Sequence, residues 1–507
     1  MRSNHALRAQ DRSGGNGRRA VALLAAAFLL LWGGGPVRAG AEQQQNDGCQ
    51  VTPSIGCSFG DHKVDLSFTT RLRIEFWDAH ADDTDTFYAA RSRVGLKYSY
   101  GGLLTLFGEF QDARIYSLSP SSLSPPNGAA GLYRAFADGR SRTHSDRLRQ
   151  LWLEVKPIEG LGVRIGRQDI KLGTQAMYPE PNWKYLKIKR GSQRLVGTVG
   201  WTHAERSNDG ISVSYDTGGG HHLYAFAARP TTGVFDIEDA YHRQDDINYG
   251  GLSWTVKRDT WIPHTELRLF GLAYDDDRSA RHGGRPDDVE VYTLGFSTIG
   301  IFPMGPGNID LLVWGAYQFG DFTPPPPATS DLDHSAAAGI LEIGYQFTEV
   351  TTKPWLRLGV NVASGDGDPN DGDHRTFFNM LPTNHLYYGF ADRWAFQNLV
   401  DWFAQLMLKP HEKVAVNLML HQFSLQNDDD FRYFGTGAYN RTNFGYGAQP
   451  SRGHRTGGTE IDAVVNYAVS KHLSVQGGFA HMWGHGVTNA FTDDDVTFGY
   501  LEVTLKY

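Results

Sequence analysis

Positive charges at alternate positions are the first chemistry the chain offers. Arg71 and Arg73 lie two apart, Arg91 and Arg93 likewise, and Lys97 continues the second series. Residues two apart share one face of an extended strand, because successive side chains point to opposite sides. Each series therefore lays positive charge along a single surface. Guanidinium groups in a narrow, partly dehydrated passage attract anions, and their planar fork grips a carboxylate through two parallel hydrogen bonds. Arg164 and Arg357 occupy the same kind of position further along, with Glu75, Glu109, Glu154 and Asp401 as counter-charges. Two readings stand side by side: an anion-preferring constriction, or arginines that pair with lumen acids and stiffen the wall.

Other groupings carry less. His481 and His485 are four apart, but on a strand that spacing separates them by roughly 13 Å at about 3.3 Å per residue, too far to share a metal. Asp366, Asp368, Asp371 and Asp373 sit in the glycine-rich stretch 365–373 and offer the hard oxygen ligands that calcium takes. The glycine falls one place late for an EF-hand and no bidentate glutamate follows, so a solvated loop and a calcium site both stay open. The only cysteines, Cys49 and Cys57, would close a small disulfide loop in an oxidising compartment. No nucleophile elbow, P-loop or metalloprotease motif occurs, so neither catalysis nor a cofactor beyond that possible calcium is expected.

The elements that must position these residues announce themselves by period-two alternation. In 64–77, Leu66, Phe68, Leu72, Ile74 and Phe76 share one face, with Asp65, Ser67, Thr69, Arg71, Arg73 and Glu75 on the other. One face suits lipid and the other suits water. The same rule predicts strands over 64–77, 87–100, 103–116, 146–157, 160–169, 208–216, 221–229, 247–258 and 263–275. Nine more follow over 287–298, 307–319, 336–347, 352–362, 396–408, 412–425, 456–468, 472–483 and 495–507. Short turns, as at Gly101-Gly102 and Ser470-Lys471, alternate with long connections at 117–145, 170–207, 230–246, 320–335, 363–395 and 426–455. That asymmetry predicts an all-β, antiparallel up-and-down transmembrane barrel of about eighteen strands, with short periplasmic turns and long extracellular loops.

Acidic runs fall at the long-loop end: Asp82 to Asp85, Asp275 to Asp277, Asp366 to Asp373, Asp428 to Asp430 and Asp493 to Asp495. They read as solvated loop faces, or as sites bridged by divalent ions to lipopolysaccharide. Aromatics near strand ends, namely Trp77, Tyr100, Tyr116, Trp261, Trp355, Trp402 and Tyr507, fit interfacial girdles.

Composition and the chain's ends agree. Hydrophobic residues make up only 40% of the sequence and no run of eighteen apolar residues exists, which excludes a helical membrane protein but not a barrel. Arginines before position 20, the apolar run Val21 to Trp32 and the small residues Val37 and Ala39 form a signal-peptide pattern over 1–39. Removing it takes the formal net charge from −8 to −13, since that segment holds six arginines and one aspartate. Residues 40–63 would be a periplasmic segment and 64–507 the barrel. The closing strand Leu501 to Tyr507 ends on an aromatic residue, as do outer-membrane barrels handled by the insertion machinery.

Three segments resemble the alginate-export family of outer-membrane proteins. They are Gly166-Arg167-Gln168-Asp169-Ile170-Lys171-Leu172-Gly173, the opening Arg71-Leu72-Arg73, and the stretch from Ala363-Ser364-Gly365-Asp366 through Phe377-Phe378, Leu381 to Asp392 and Gln397-Asn398. The resemblance spans about 64–507 and implies a monomeric eighteen-stranded barrel with an arginine-rich pore for an anionic polysaccharide. In the family's alginate exporter a long periplasmic loop between the sixteenth and seventeenth strands helps plug the pore. Here that connection shrinks to Ser470-Lys471, so residues 40–63 or an inward-folded external loop such as 117–145 are the candidate plugs. Polysaccharide export leads; a diffusion porin for small anionic solutes and a barrel-anchored surface protein contacting lipid or lipopolysaccharide are the alternatives. An acidic secreted chain gives no reason to expect a nucleic-acid partner.

Overall fold

A computed structural model describes residues 48–51, 55–78, 84–120, 128–278, 289–323, 331–368, 371–385, 387–435, 448–489 and 495–507. The chain divides into two units, Met1–Gly48 and Cys49–Tyr507. The expected signal peptide lies outside the described residues, as do Asp82, Asp83, Asp493 and Asp494 of the acidic runs.

The second unit is a closed barrel of eighteen antiparallel strands. They are β1 (His62–Asp78), β2 (Thr84–Tyr100), β3 (Leu104–Tyr116), β4 (Arg142–Ile158), β5 (Leu161–Gln168), β6 (Asn208–Asp216), β7 (His221–Pro230), β8 (Ile247–Val256) and β9 (Thr265–Asp276). The circuit continues with β10 (Val289–Met304), β11 (Gly307–Phe322), β12 (Leu332–Phe347), β13 (Trp355–Ala363), β14 (Leu399–His411), β15 (Val414–Ser424), β16 (Thr456–Ala468), β17 (Leu473–Gly484) and β18 (Val496–Lys506). Every strand pairs with its chain neighbours, and β18 returns to β1 in the register Thr497↔Asp78 to Lys506↔Thr69. Closure satisfies each backbone group within the wall and leaves no free edge, which a strand structure in lipid requires.

Alternation decides which side faces what. Leu72, Leu252, Leu294 and Leu358 are more than half exposed on the outside, while Arg71, Arg73 and Glu75 are buried inside on the neighbouring positions of β1. The tight turn after β2 uses Gly101 and Gly102, both at positive φ (54° and 70°), which side-chain-bearing residues seldom adopt in succession. Of the expected girdle aromatics, Tyr100, Tyr116, Trp261, Trp402 and Tyr507 are exposed. Trp77 and Trp355 are corrections: both face inward and are buried, Trp355 donating its indole N–H to Asp310 at 2.7 Å. A short strand Ile55–Phe59 pairs with the start of β1, and Cys57 within it is disulfide-bonded; Cys49 is the chain's one other cysteine.

The β16–β17 connection is short, as its sequence indicated. The long connections supply the interior instead. Three of them, 169–207, 231–246 and 364–398, consist largely of buried residues. The 117–141 connection adds a helix, α1 (Gly128–Phe136), and 169–207 contains α2 (Pro181–Tyr185) running into a π-helical turn, Leu186–Gly191.

Candidate functional site: a plugged lumen with two charged walls

Four adjacent strands, β1 to β4, present the arginine wall. Arg71 donates to the carbonyl oxygens of Gly200, Trp201 and Thr202 at 3.0, 3.0 and 2.7 Å. Arg73 donates to Glu75 (2.7 Å), Glu502 (2.9 Å) and the Trp201 carbonyl (2.8 Å), and its guanidinium lies 3.5 Å from the centre of the Trp201 ring. Arg91 donates to Glu205 at 2.7 Å and Arg93 reaches the same carboxylate oxygen at 2.8 Å. Arg149 holds the other oxygen of Glu205 at 2.8 Å, together with Glu109 and Asp169, each at 2.6 Å. Buried charges need partners of this kind, since desolvation costs each of them several kcal/mol. Segment 192–206 thus crosses the lumen as a strap laid over the guanidiniums. Burial alone would raise the pKa of Glu205, yet Arg93, Arg149 and Arg91 hold its carboxyl well below the usual range.

A second cationic group lies on β11 to β13. Arg357 joins Asp310 (2.9 Å) to Glu342 (2.7 Å), and from the strap's own segment Arg190 and Arg194 meet Glu342 at 2.7 and 3.3 Å. Arg194 also stacks on Tyr387, 3.7 Å from its ring centre, and donates to the Tyr388 hydroxyl at 3.1 Å. Tyr387 donates in turn to the Ser192 carbonyl at 2.6 Å. The two inward segments are also knitted through their backbones. Gly197 donates to Leu381, Leu381 to Leu195 and Thr383 to Gln193, at 2.9 to 3.0 Å.

Opposite chemistry holds the second segment. On β14 to β16, Asp401, Glu460 and Asp462 face inward and are buried. The Ala391 N–H donates to Glu460 at 2.9 Å and the Phe390 N–H to Asp462 at 3.5 Å. His421 bridges Asp401 (2.9 Å) and Asp462 (3.7 Å). Gly389, at φ +82°, seats directly on this carboxylate: a Cβ there would lie 2.5 Å from both Glu460 oxygens. Glycine is therefore required twice, for its backbone and for its lack of bulk.

The model of the alginate-export family matches residues 62–490. The chain belongs to the alginate-export family. Comparison with curated proteins gave no match. Among solved structures, the outer-membrane protein OpdK of Pseudomonas aeruginosa superposes with a TM-score of 0.52 at 11% identity, covering 87% of this chain and 99% of that one. OpdF of the same organism, in complex with glucuronate, gives 0.52 at 10%, covering 87% and 96%. A BenF-like porin from Pseudomonas fluorescens Pf-5 gives 0.53 at 10%, covering 87% and 97%. At such identities the likeness is one of fold. Together these place an outer-membrane channel protein in the bacterial outer membrane; family and structural neighbours alike are channels rather than enzymes.

Within this alginate-export barrel the expected pore-lining residues face inward, but they do not form one site. Arg71, Arg73, Arg91, Arg93, Glu75 and Glu109 converge under the strap, whereas Arg357 and Asp401 belong to separate walls. Lys97 is exposed. Arg164 stacks over Trp152 at 3.9 Å, pairs with Glu154 at 3.5 Å and lines a polar cavity of about 390 Å³ with Lys171, His222 and Tyr224. In the expected calcium loop, Asp371 and Asp373 turn to Arg375, and Asp366 accepts the N–H groups of Asp368 and Arg375. Among the described residues no group of three or more acidic, histidine or cysteine side chains is placed to hold a metal.

Several partners were missed by sequence reasoning. Arg149 escaped because the β3–β4 register shifts at Glu109/Phe110, breaking the alternation that would have marked it as inward. Glu205, Arg190 and Arg194 lie in a connection taken to be external, where nothing local signals a fold into the lumen. Glu460 and Asp462 share one face of β16 by parity, a signal that was there to use.

Proposed function

We propose that this protein carries an anionic polysaccharide across the outer membrane along the arginine wall of β1 to β4, with the strap withdrawn. One observation carries the reading: five guanidiniums on β1, β2 and β4 grip carboxylate and carbonyl oxygens, and a polyuronate presents carboxylates in series. The polymer would move down its own gradient through a monomeric barrel. Secretion by cleavage after Ala39 and outer-leaflet lipopolysaccharide as the surrounding partner belong to the same proposal.

A second reading, diffusion of small carboxylates, has its own support. The filled interior leaves a polar cavity of about 390 Å³ beside Arg164, room for a sugar acid rather than a chain, and the neighbour OpdF was solved with glucuronate. Single-channel recording of refolded protein separates the two. Polysaccharide transport predicts anion preference and block by polymannuronate but not by a neutral polymer, weakened in Arg71→Ala and Arg93→Ala. Anion conduction without polymer block would favour the small-solute reading, and cation preference would overturn both.

A further inference from the structure

We infer that Arg91, Arg93 and Arg149 form a carboxylate-binding site which the chain occupies itself through Glu205, and that a carboxylate solute opens the lumen by taking that place. The inference rests on the anion-channel reading and adds what keeps the channel shut.

Three guanidiniums, two from β2 and one from β4, converge on the two oxygens of one carboxylate, at 2.7, 2.8 and 2.8 Å. That is the geometry of an anion site. The ligand is a side chain of the strap, not of the wall. Every other hydrogen bond that this wall gives to 200–204 goes to a neutral carbonyl, from Arg71, Arg73 and Arg91 to Gly200, Trp201 and Thr202 and from Gln111 to His203 and Ala204, with the Arg73 guanidinium also stacked on the neutral Trp201 ring. Glu205 is thus the strap's one full charge on this wall, and charge-assisted bonds are about twice as strong as neutral ones.

The strap's backbone fits a part held under load. Gln193, Val199 and Glu205 all adopt left-handed φ angles of 55° to 61° without being glycine. Such conformations persist when surrounding contacts impose them, so the chain relaxes when those contacts are surrendered. The exchange is also electrically even. The arginines keep a carboxylate throughout, first the strap's and then the solute's, so no buried charge is left unpaired. A neutral sugar of the same size cannot make the exchange.

The test is single-channel recording of the full mature protein in planar bilayers, titrated with sodium glucuronate and with glucose as the neutral control. For wild type, glucuronate raises open probability at least about tenfold and glucose does not, the scale of one charge-assisted contact. Glu205→Gln opens without ligand to a similar degree and no longer responds to glucuronate. Arg149→Gln, altered from the strand side, moves ligand-free opening in the same direction, and heat-modifiable electrophoretic mobility reports that each variant is folded. If folded Glu205→Gln and Arg149→Gln gate as wild type in an anion-selective channel, the tethered-carboxylate site is wrong and the channel reading survives. If wild type prefers cations, both fall.

Discussion

The two sides of the lumen hold their plug segments by opposite means. On β1 to β4 the wall is basic and grips oxygen atoms of the strap 192–206; on β14 to β16 it is acidic and grips N–H groups at 390 and 391. The first grip uses a charge that any dissolved carboxylate can imitate. The second uses backbone donors and a glycine seat that no small anion reproduces. Strap and seat meet through Trp201, which stacks on His385 at 3.9 Å between ring centres. The lesson is a division of labour: one segment exchangeable with anions, the other a fixed floor against which it rests.

Three substitutions break that comparison by decreasing amounts. Arg73→Ala strips the cationic partner from buried Glu75, leaves half-buried Glu502 with Arg71 alone and removes the platform under Trp201. An uncompensated buried charge costs about 3–5 kcal/mol, so urea midpoint and strap occupancy should both fall, the channel conducting constitutively. Gly389→Ala attacks the floor. A Cβ 2.5 Å from two carboxylate oxygens at φ +82° combines overpacking with backbone strain, together about 2–4 kcal/mol. It should raise conductance already in the absence of glucuronate and leave the fold-response to glucuronate at its wild-type size, because the anion-exchangeable wall is untouched; a changed fold-response would show that the two sides act as one. Glu460→Gln keeps an oxygen for the Ala391 N–H and loses only charge, about 1 kcal/mol, visible as a small shift in the unfolding midpoint with gating intact.

How far this arrangement could be read beforehand follows from where its information sits. The wall is written locally: the parity that puts Leu72 on the outside puts Arg71 and Arg73 on the inside, and all eighteen predicted strands pair as neighbours in the barrel. Parity was even stronger than its use, since Trp77 shares the face of Glu75 and so belongs inside rather than in a girdle. Parity fails where the backbone departs from a simple ladder, as at Arg149 beside the β3–β4 bulge. The plug is not written locally at all. Arg71 meets Thr202 across 131 residues and Tyr387 meets Ser192 across 195, and a connection folds inward only because the finished wall offers it charged partners. The family segment Tyr387-Tyr388-Gly389-Phe390-Ala391-Asp392 marked that floor without disclosing what it rests on.

The smallest expected effect is the most discriminating. Glu205 lies in a connecting segment, and its carboxyl is held below the usual range by Arg93, Arg149 and Arg91 against the opposing effect of burial. A group whose pKa is depressed in the closed state stabilises that state at every pH above its free value, about 4.3 for glutamate, and loses the contribution only as pH falls through the depressed value. The strap should therefore stay latched, and ligand-free open probability stay flat, from pH 8 down to about 5. The acidic side carries His385 against Asp392 and His421 between Asp401 and Asp462. Open probability recorded at pH 8, 6.5 and 5 decides between them. A flat response assigns the latch to the arginine side. A rise between pH 8 and 5, abolished by His421→Gln, would move gating to the floor and make the strap its follower.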